Sequence, residues 1–156
     1  MLLTYQLPRE PSTPRIALWR RLRRLGVAQL GDGLVALPAD ARTREQLEWL
    51  AEEVLEAGGQ AGVWLARPAT AAQERTVIAA MANARADEYT TLAASAAVAL
   101  GAGADRARLV QRLRRQWREI TRRDYFPPPQ RDAAGAALRA LEAAGTGSAV
   151  VEGRRP

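Results

Sequence analysis

The chain contains no cysteine, no histidine and no lysine among its 156 residues, and each absence closes off some chemistry. Without cysteine there is no disulfide, no thiol nucleophile and no thiolate metal cluster. Without histidine, the usual acid–base side chain near neutral pH and the commonest metal ligand are missing as well. Apolar runs are short: no stretch of eighteen such residues occurs, so no membrane-spanning helix is expected. The chain opens on a strand-like segment instead of a basic and then apolar leader, and a cytoplasmic location is the expectation. No cofactor and no metal are expected.

What is abundant is arginine. It supplies all 23 basic residues against 17 acids, for a net charge of +6. Arginine and alanine enrichment without lysine accompanies high-GC coding, but a guanidinium still pairs bidentately with phosphate and other oxyanions whatever its origin. The charge is unevenly placed: residues 1–38 hold six arginines against two acids, and residues 105–156 hold twelve against six. The stretch 39–69 is acidic, with three arginines against six acids. Two basic regions thus flank an acidic middle, and an anionic partner is expected.

Strand and helix signals alternate over the first seventy residues. Leu2 to Leu7 alternates as a strand and is closed by Pro8. Pro11 and Pro14 open a helix in which Ile16, Leu18, Trp19, Leu22 and Leu25 recur at helical spacing, and Gly26 stops it. Val27–Leu30 and Leu34–Pro38 read as a hairpin around Gly31, Asp32 and Gly33, a turn and not a phosphate-binding loop. A second helix is expected from Thr43, with Gln46 completing a capping box and Leu47, Leu50, Val54 and Leu55 buried. Gly58 and Gly59 end it. A last strand from Gly62 to Ala66 sets Val63 and Leu65 on one face and Trp64 on the other. The order is βαββαβ, an α+β split sandwich.

From Thr70 the chain is Ala-rich and helical in character. Thr70 with Gln73 caps a helix running to about Val98, before Gly101 and Gly103. Asp105 is placed to cap the next, whose Leu109, Val110, Leu113, Trp117 and Ile120 form one stripe opposite Arg108, Arg112, Arg115, Arg118 and Arg122. Asp124-Tyr125-Phe126 and three prolines make a rigid turn, with the two aromatics anchoring a final helix from Arg131 to Ala144. The expected organisation is an α+β domain over 1–69, a helical extension over 70–145 and a flexible tail over 146–156, with a short extended piece at Ala149–Val151.

Several segments resemble one family. Tyr5-Gln6-Leu7-Pro8, Arg15-Ile16-Ala17-Leu18-Trp19-Arg20-Arg21-Leu22, Leu25-Gly26, Leu34-Val35-Ala36-Leu37-Pro38 and Glu48-Trp49-Leu50 are similar to the N-terminal domain of the ChrB chromate-resistance regulators. Asp87-Glu88-Tyr89 and Asp124-Tyr125-Phe126-Pro127 resemble it too. The resemblance implies a ferredoxin-like sandwich, as in PaaX-type repressors, and a role in transcriptional control linked to chromate. The chain stops soon after the helical region, so the separate C-terminal domain of the longer members is not in this sequence.

Two arginine groups are the candidate sites. On the first helix, Arg20, Arg21 and Arg24 face away from the apolar stripe and suit an oxyanion such as chromate; Arg15 and Arg23 lie beside them. In the 105–123 helix, Arg108, Arg112, Arg115, Arg118 and Arg122 suit the phosphates of DNA. Trp19, Trp49 and Trp117 are expected to pack in the core or at an interface, and Trp64 to be exposed or interfacial. Glu45, Glu48, Glu52, Glu53 and Glu56 read as a solvated helix face.

The leading expectation is a non-enzymatic, DNA-associated regulator that forms a homodimer through the sheet face left open by the helices, with Trp64 near the contact. The alternative is an interaction module for a separately encoded partner domain. A metal-dependent nuclease is disfavoured, because the first strand ends Gln6-Leu7-Pro8 with Glu10 beyond and offers no carboxylate cluster. Reduction of chromate is disfavoured by the missing thiol.

Overall fold

The computed structural model describes residues 1–101 and 105–152, with side-chain surroundings through Ala144. Its elements are β1 (Leu2–Gln6), α1 (Thr13–Leu25), β2 (Ala28–Gly31), β3 (Leu34–Ala36), α2 (Ala41–Glu56), β4 (Gln60–Trp64), α3 (Ala71–Ala99), α4 (Arg106–Thr121) and α5 (Gln130–Glu152). The βαββαβ order and the α+β class are borne out. Two compact units divide between Met81 and Ala82, inside α3.

In the first unit the four strands line up as β2-β3-β1-β4, each pair of neighbours antiparallel. Register places Leu3 opposite both Val35 and Val63, so these three share one face of the sheet. Leu3 and Val35 are fully buried, and Leu18 and Leu22 of α1 and Leu47, Leu50, Ala51 and Val54 of α2 are buried with them. Gly26 ends α1 in the left-handed conformation at φ 71°, as its position after Leu25 suggested.

Several expectations need correction. The box that starts α2 sits one turn earlier: Asp40 is the cap, its carboxylate accepting from the Thr43 amide at 2.7 Å, while Thr43 Oγ1 accepts from the Asp40 amide at 3.1 Å. Thr43 is therefore fully buried inside the cap instead of opening the helix. Strand β4 is shifted toward the glycines that precede it and stops at Trp64, which leaves Leu65 outside the strand and 77% exposed. Leu55, Ile16 and Trp19 are also exposed. Leu18 and Leu22, four residues apart, already cover the strip of α1 that is buried, and Ile16 and Trp19 fall 100° or more around the helix from Leu18.

The second unit is helical. Tyr89, Leu92, Ala96 and Ala99 of α3, Leu113 and Ile120 of α4, and Ala134, Leu138 and Leu141 of α5 form its core, with Leu109, Val110 and Trp117 packed against it. The apolar stripe foreseen in α4 is thus the buried one. Thr70 caps α3, its Oγ1 accepting from the Gln73 amide at 3.2 Å. Asp105 makes no such bond at the start of α4. The last helix runs past Ala144 to Glu152, so the piece expected to be extended at Ala149–Val151 is helical; residues 153–156 lie outside the described residues.

Candidate nucleic-acid interface

Once α4 buries Leu113 and Ile120, geometry fixes where its arginines go. Arg108, Arg112, Arg115 and Arg118 fall within about 120° of one another around the axis, because residues three and four apart are surface neighbours on a helix. All four are exposed, as is Arg122 just past the helix end. Among the described residues Arg108, Arg112, Arg115 and Arg118 form no ion pair. The row from Arg108 to Arg118 is about 15 Å long at 1.5 Å per residue. Duplex DNA carries roughly one negative charge per 1.7 Å, so a backbone running past this row offers more anions than the row has cations.

The other arginines of α4 are already engaged. Arg114 Nε meets Glu142 Oε1 of α5 at 2.5 Å, and that pair holds the Glu142 carboxyl below its ordinary value. Arg106 donates to the carbonyls of Ala144, at 2.9 Å, and Leu100, at 2.8 Å. These two tie α4 to its neighbours, which separates structural arginines from those open to a ligand.

The basic group on α1 is split in the same way. Arg21 is ion-paired with Glu53 of α2. It leans toward α2, so Glu53 already offers its guanidinium a carboxylate. Arg15 donates to the carbonyls of Pro8 and Arg9, and the Arg23 guanidinium lies 4.8 Å from the centre of the Trp19 ring. Arg20 and Arg24 are exposed and, among the described residues, form no ion pair. Of the three tryptophans expected in the core or at an interface, Trp117 packs inward, while Trp19 and Trp49 are 54% and 59% exposed and so lie outside the core. Trp64 is exposed as foreseen, and its Nε1 donates to Thr4 Oγ1 at 3.0 Å.

One cluster escaped the sequence reading. Tyr89 donates its hydroxyl proton to Asp124 Oδ2 at 2.9 Å, across 35 residues of chain. Arg131 reaches the same oxygen at 3.6 Å, while Glu88 is held by Arg85 and Arg123, each at 3.2 Å. The Asp124 side chain is fully buried. Burial, and next the bond to Asp124, push the Tyr89 hydroxyl above its ordinary value of 10.0. Burial lowers Arg85, against the pull of Glu88. The two short polar motifs around Glu88 and Asp124 stood out from an Ala-rich background. Nothing in the sequence said that they meet, because helix packing alone sets that distance.

The molecule is thus a small α+β unit followed by a helical unit with one open arginine row. A family model for the N-terminal region of protein ChrB matches residues 15–100, more than half of the chain. The chain belongs to the ChrB N-terminal family. The matched span runs from α1 through α3, so the arginine row of α4 lies beyond it. No curated protein and no solved structure gives a significant match. Among the described residues no helix is long and apolar enough to cross a membrane.

Proposed function

We propose that this chain is a chromate-linked, non-enzymatic regulator that associates with DNA through the phosphate backbone, using the open face of α4. The observation that carries this reading is the row Arg108, Arg112, Arg115 and Arg118: four exposed cations on one face, with no carboxylate partner among the described residues. Like charges at helical spacing repel one another, and a polyanion removes that repulsion while releasing its own counterions.

Substituting Arg112, Arg115 and Arg118 together by Ala is the test, since all three are exposed and arginine and alanine are both strong helix formers. Each lost phosphate contact lowers the slope of log affinity against log salt by about one, so the triple variant should lose about three units of slope and bind duplex DNA at least tenfold more weakly at low salt. Fluorescence anisotropy over a salt series reads both quantities. An unchanged slope would move the partner from nucleic acid to protein.

Chromate meets this chain as an intact tetrahedral dianion, because no thiol is present to reduce it. Arg20 and Arg24 are the donors proposed for it, through charge-assisted hydrogen bonds. Sulfate has the same shape and charge and should compete. Calorimetric titration in which excess sulfate, or Arg20→Ala with Arg24→Ala, leaves chromate binding intact would refute this site.

A further inference from the structure

The outer faces of α1 and α2 carry opposite charge and matching apolar anchors. On α1, Ile16, Trp19, Arg20 and Arg23 follow an i, i+3, i+4, i+7 pattern and form one exposed face bordered by Arg24. On α2, Glu45, Trp49, Glu52 and Glu56, spaced i, i+4, i+7, i+11, likewise share one exposed face. Among the described residues Glu45, Glu52 and Glu56 form no ion pair, as is also true of Arg20 and Arg24. Large apolar side chains exposed within a charged rim mark an interaction surface. The two helices are also neighbours, linked by the Arg21–Glu53 pair.

That adjacency narrows the occupant. A polyanion seated on α1 would lie beside the carboxylates of α2, and an acidic protein would meet the same repulsion. A basic partner on α2 would meet the arginines of α1. The surface needs a partner that is itself negative on one side and positive on the other, with the same spacing between them. A second copy of this chain has that pattern by construction.

We propose that two copies dock helix layer to helix layer, with α1 of each on α2 of the other. A two-fold axis along the groove between the helices, in the plane of contact, sets each basic face opposite an acidic one. It does so twice, and the assembly closes. The Trp19 and Trp49 rings supply the desolvated anchors that such contacts concentrate near their centre. This assembly requires neither DNA nor chromate, and it uses the helix layer instead of the open sheet face first expected, where Trp64 already satisfies its N–H on Thr4.

Sedimentation velocity on the full chain in chloride buffer, without DNA or sulfate, tests it. The wild type should be a dimer at micromolar concentration that loosens as salt rises. Arg20→Glu with Arg24→Glu, or Glu45→Arg with Glu52→Arg, should each weaken self-association about tenfold or more, because each contact then sets like charges together. An equimolar mixture of the two variants should re-form dimers, and all four changes in one chain should do so as well. Circular dichroism confirms that each variant is folded; the four positions are exposed. A monomeric wild type, a variant that stays dimeric, or single losses that mixing fails to rescue would each overturn the proposal. So would a dimer that only Trp64→Arg disrupts, which would move the contact to the open sheet face.

Discussion

Asp124→Ala should destabilise the helical unit by roughly 3 kcal/mol, since it removes a buried ion-pair partner and strands a buried hydroxyl. The carboxylate is fully enclosed and receives Tyr89 and Arg131 on one oxygen. Its loss leaves Tyr89, a fully buried residue, without an acceptor for its proton. Asp124→Asn keeps an oxygen for Tyr89 and should cost about 1 kcal/mol less. Tyr89→Phe combined with Asp124→Ala should cost less than the sum of the two single changes, by about 1–2 kcal/mol, because both remove the same bond. Urea unfolding followed by tryptophan fluorescence suits the measurement. Trp117 packs 5.3 Å from Tyr89 in the core, whereas Trp19, Trp49 and Trp64 are exposed. A cost below about 0.5 kcal/mol, the level of an ordinary surface change, would remove the pair from the account.

The same pair sets an alkaline limit. The folded Tyr89 hydroxyl is held above its ordinary 10.0, so the unfolded chain ionises first. The stabilisation is therefore complete below about pH 10 and drains away as pH rises further. Tyr89→Phe lacks this group and should show a shallower decline above pH 10.

Gly33→Ala should cost about 3 kcal/mol or more, which combines a left-handed backbone with a steric clash. Gly33 sits at φ 68°, and a β-carbon there would lie 2.2 Å from the Tyr5 carbonyl oxygen. The hairpin tip cannot back away without losing the hydrogen bond from the Tyr5 amide to the Gly33 carbonyl, 2.8 Å long. Gly31, two residues earlier, makes an internal control. A β-carbon there meets open space, and Gly31→Ala should stay within about 0.5 kcal/mol. Equal denaturation midpoints for the two variants would refute this account of the turn.

Both glycines were legible as turn residues, yet only packing distinguishes them: the hairpin tip touches β1, and no local pattern states that. The same limit explains the α1 stripe. Leu18, Leu22, Ile16 and Trp19 all obey helical spacing, but the buried strip is narrow, and the sequence does not say which pair wins. The α4 arginines were easy to read, because amphipathicity alone divides that helix into a core side and an open side. The ion pair of Arg21 was not legible, for the opposite reason. Its partner Glu53 lies on another helix, and the acidic run on α2 read as uniformly solvated, although Glu53 turns toward α1 while Glu45, Glu52 and Glu56 face outward. Long-range polar pairs, Tyr89 with Asp124 foremost, carry no periodic signature at all.

Arg20 and Arg24 are open on α1, and both the proposed oxyanion and the proposed partner copy draw on them. A guanidinium fork that grips a sulfate or chromate ion cannot also receive a glutamate from across an interface. The two events therefore exclude each other, and by linkage each weakens the other to the same degree. The half-saturating concentration of the ion would rise with the amount of protein present. Abundance of the chain would then set the threshold at which the ion is noticed.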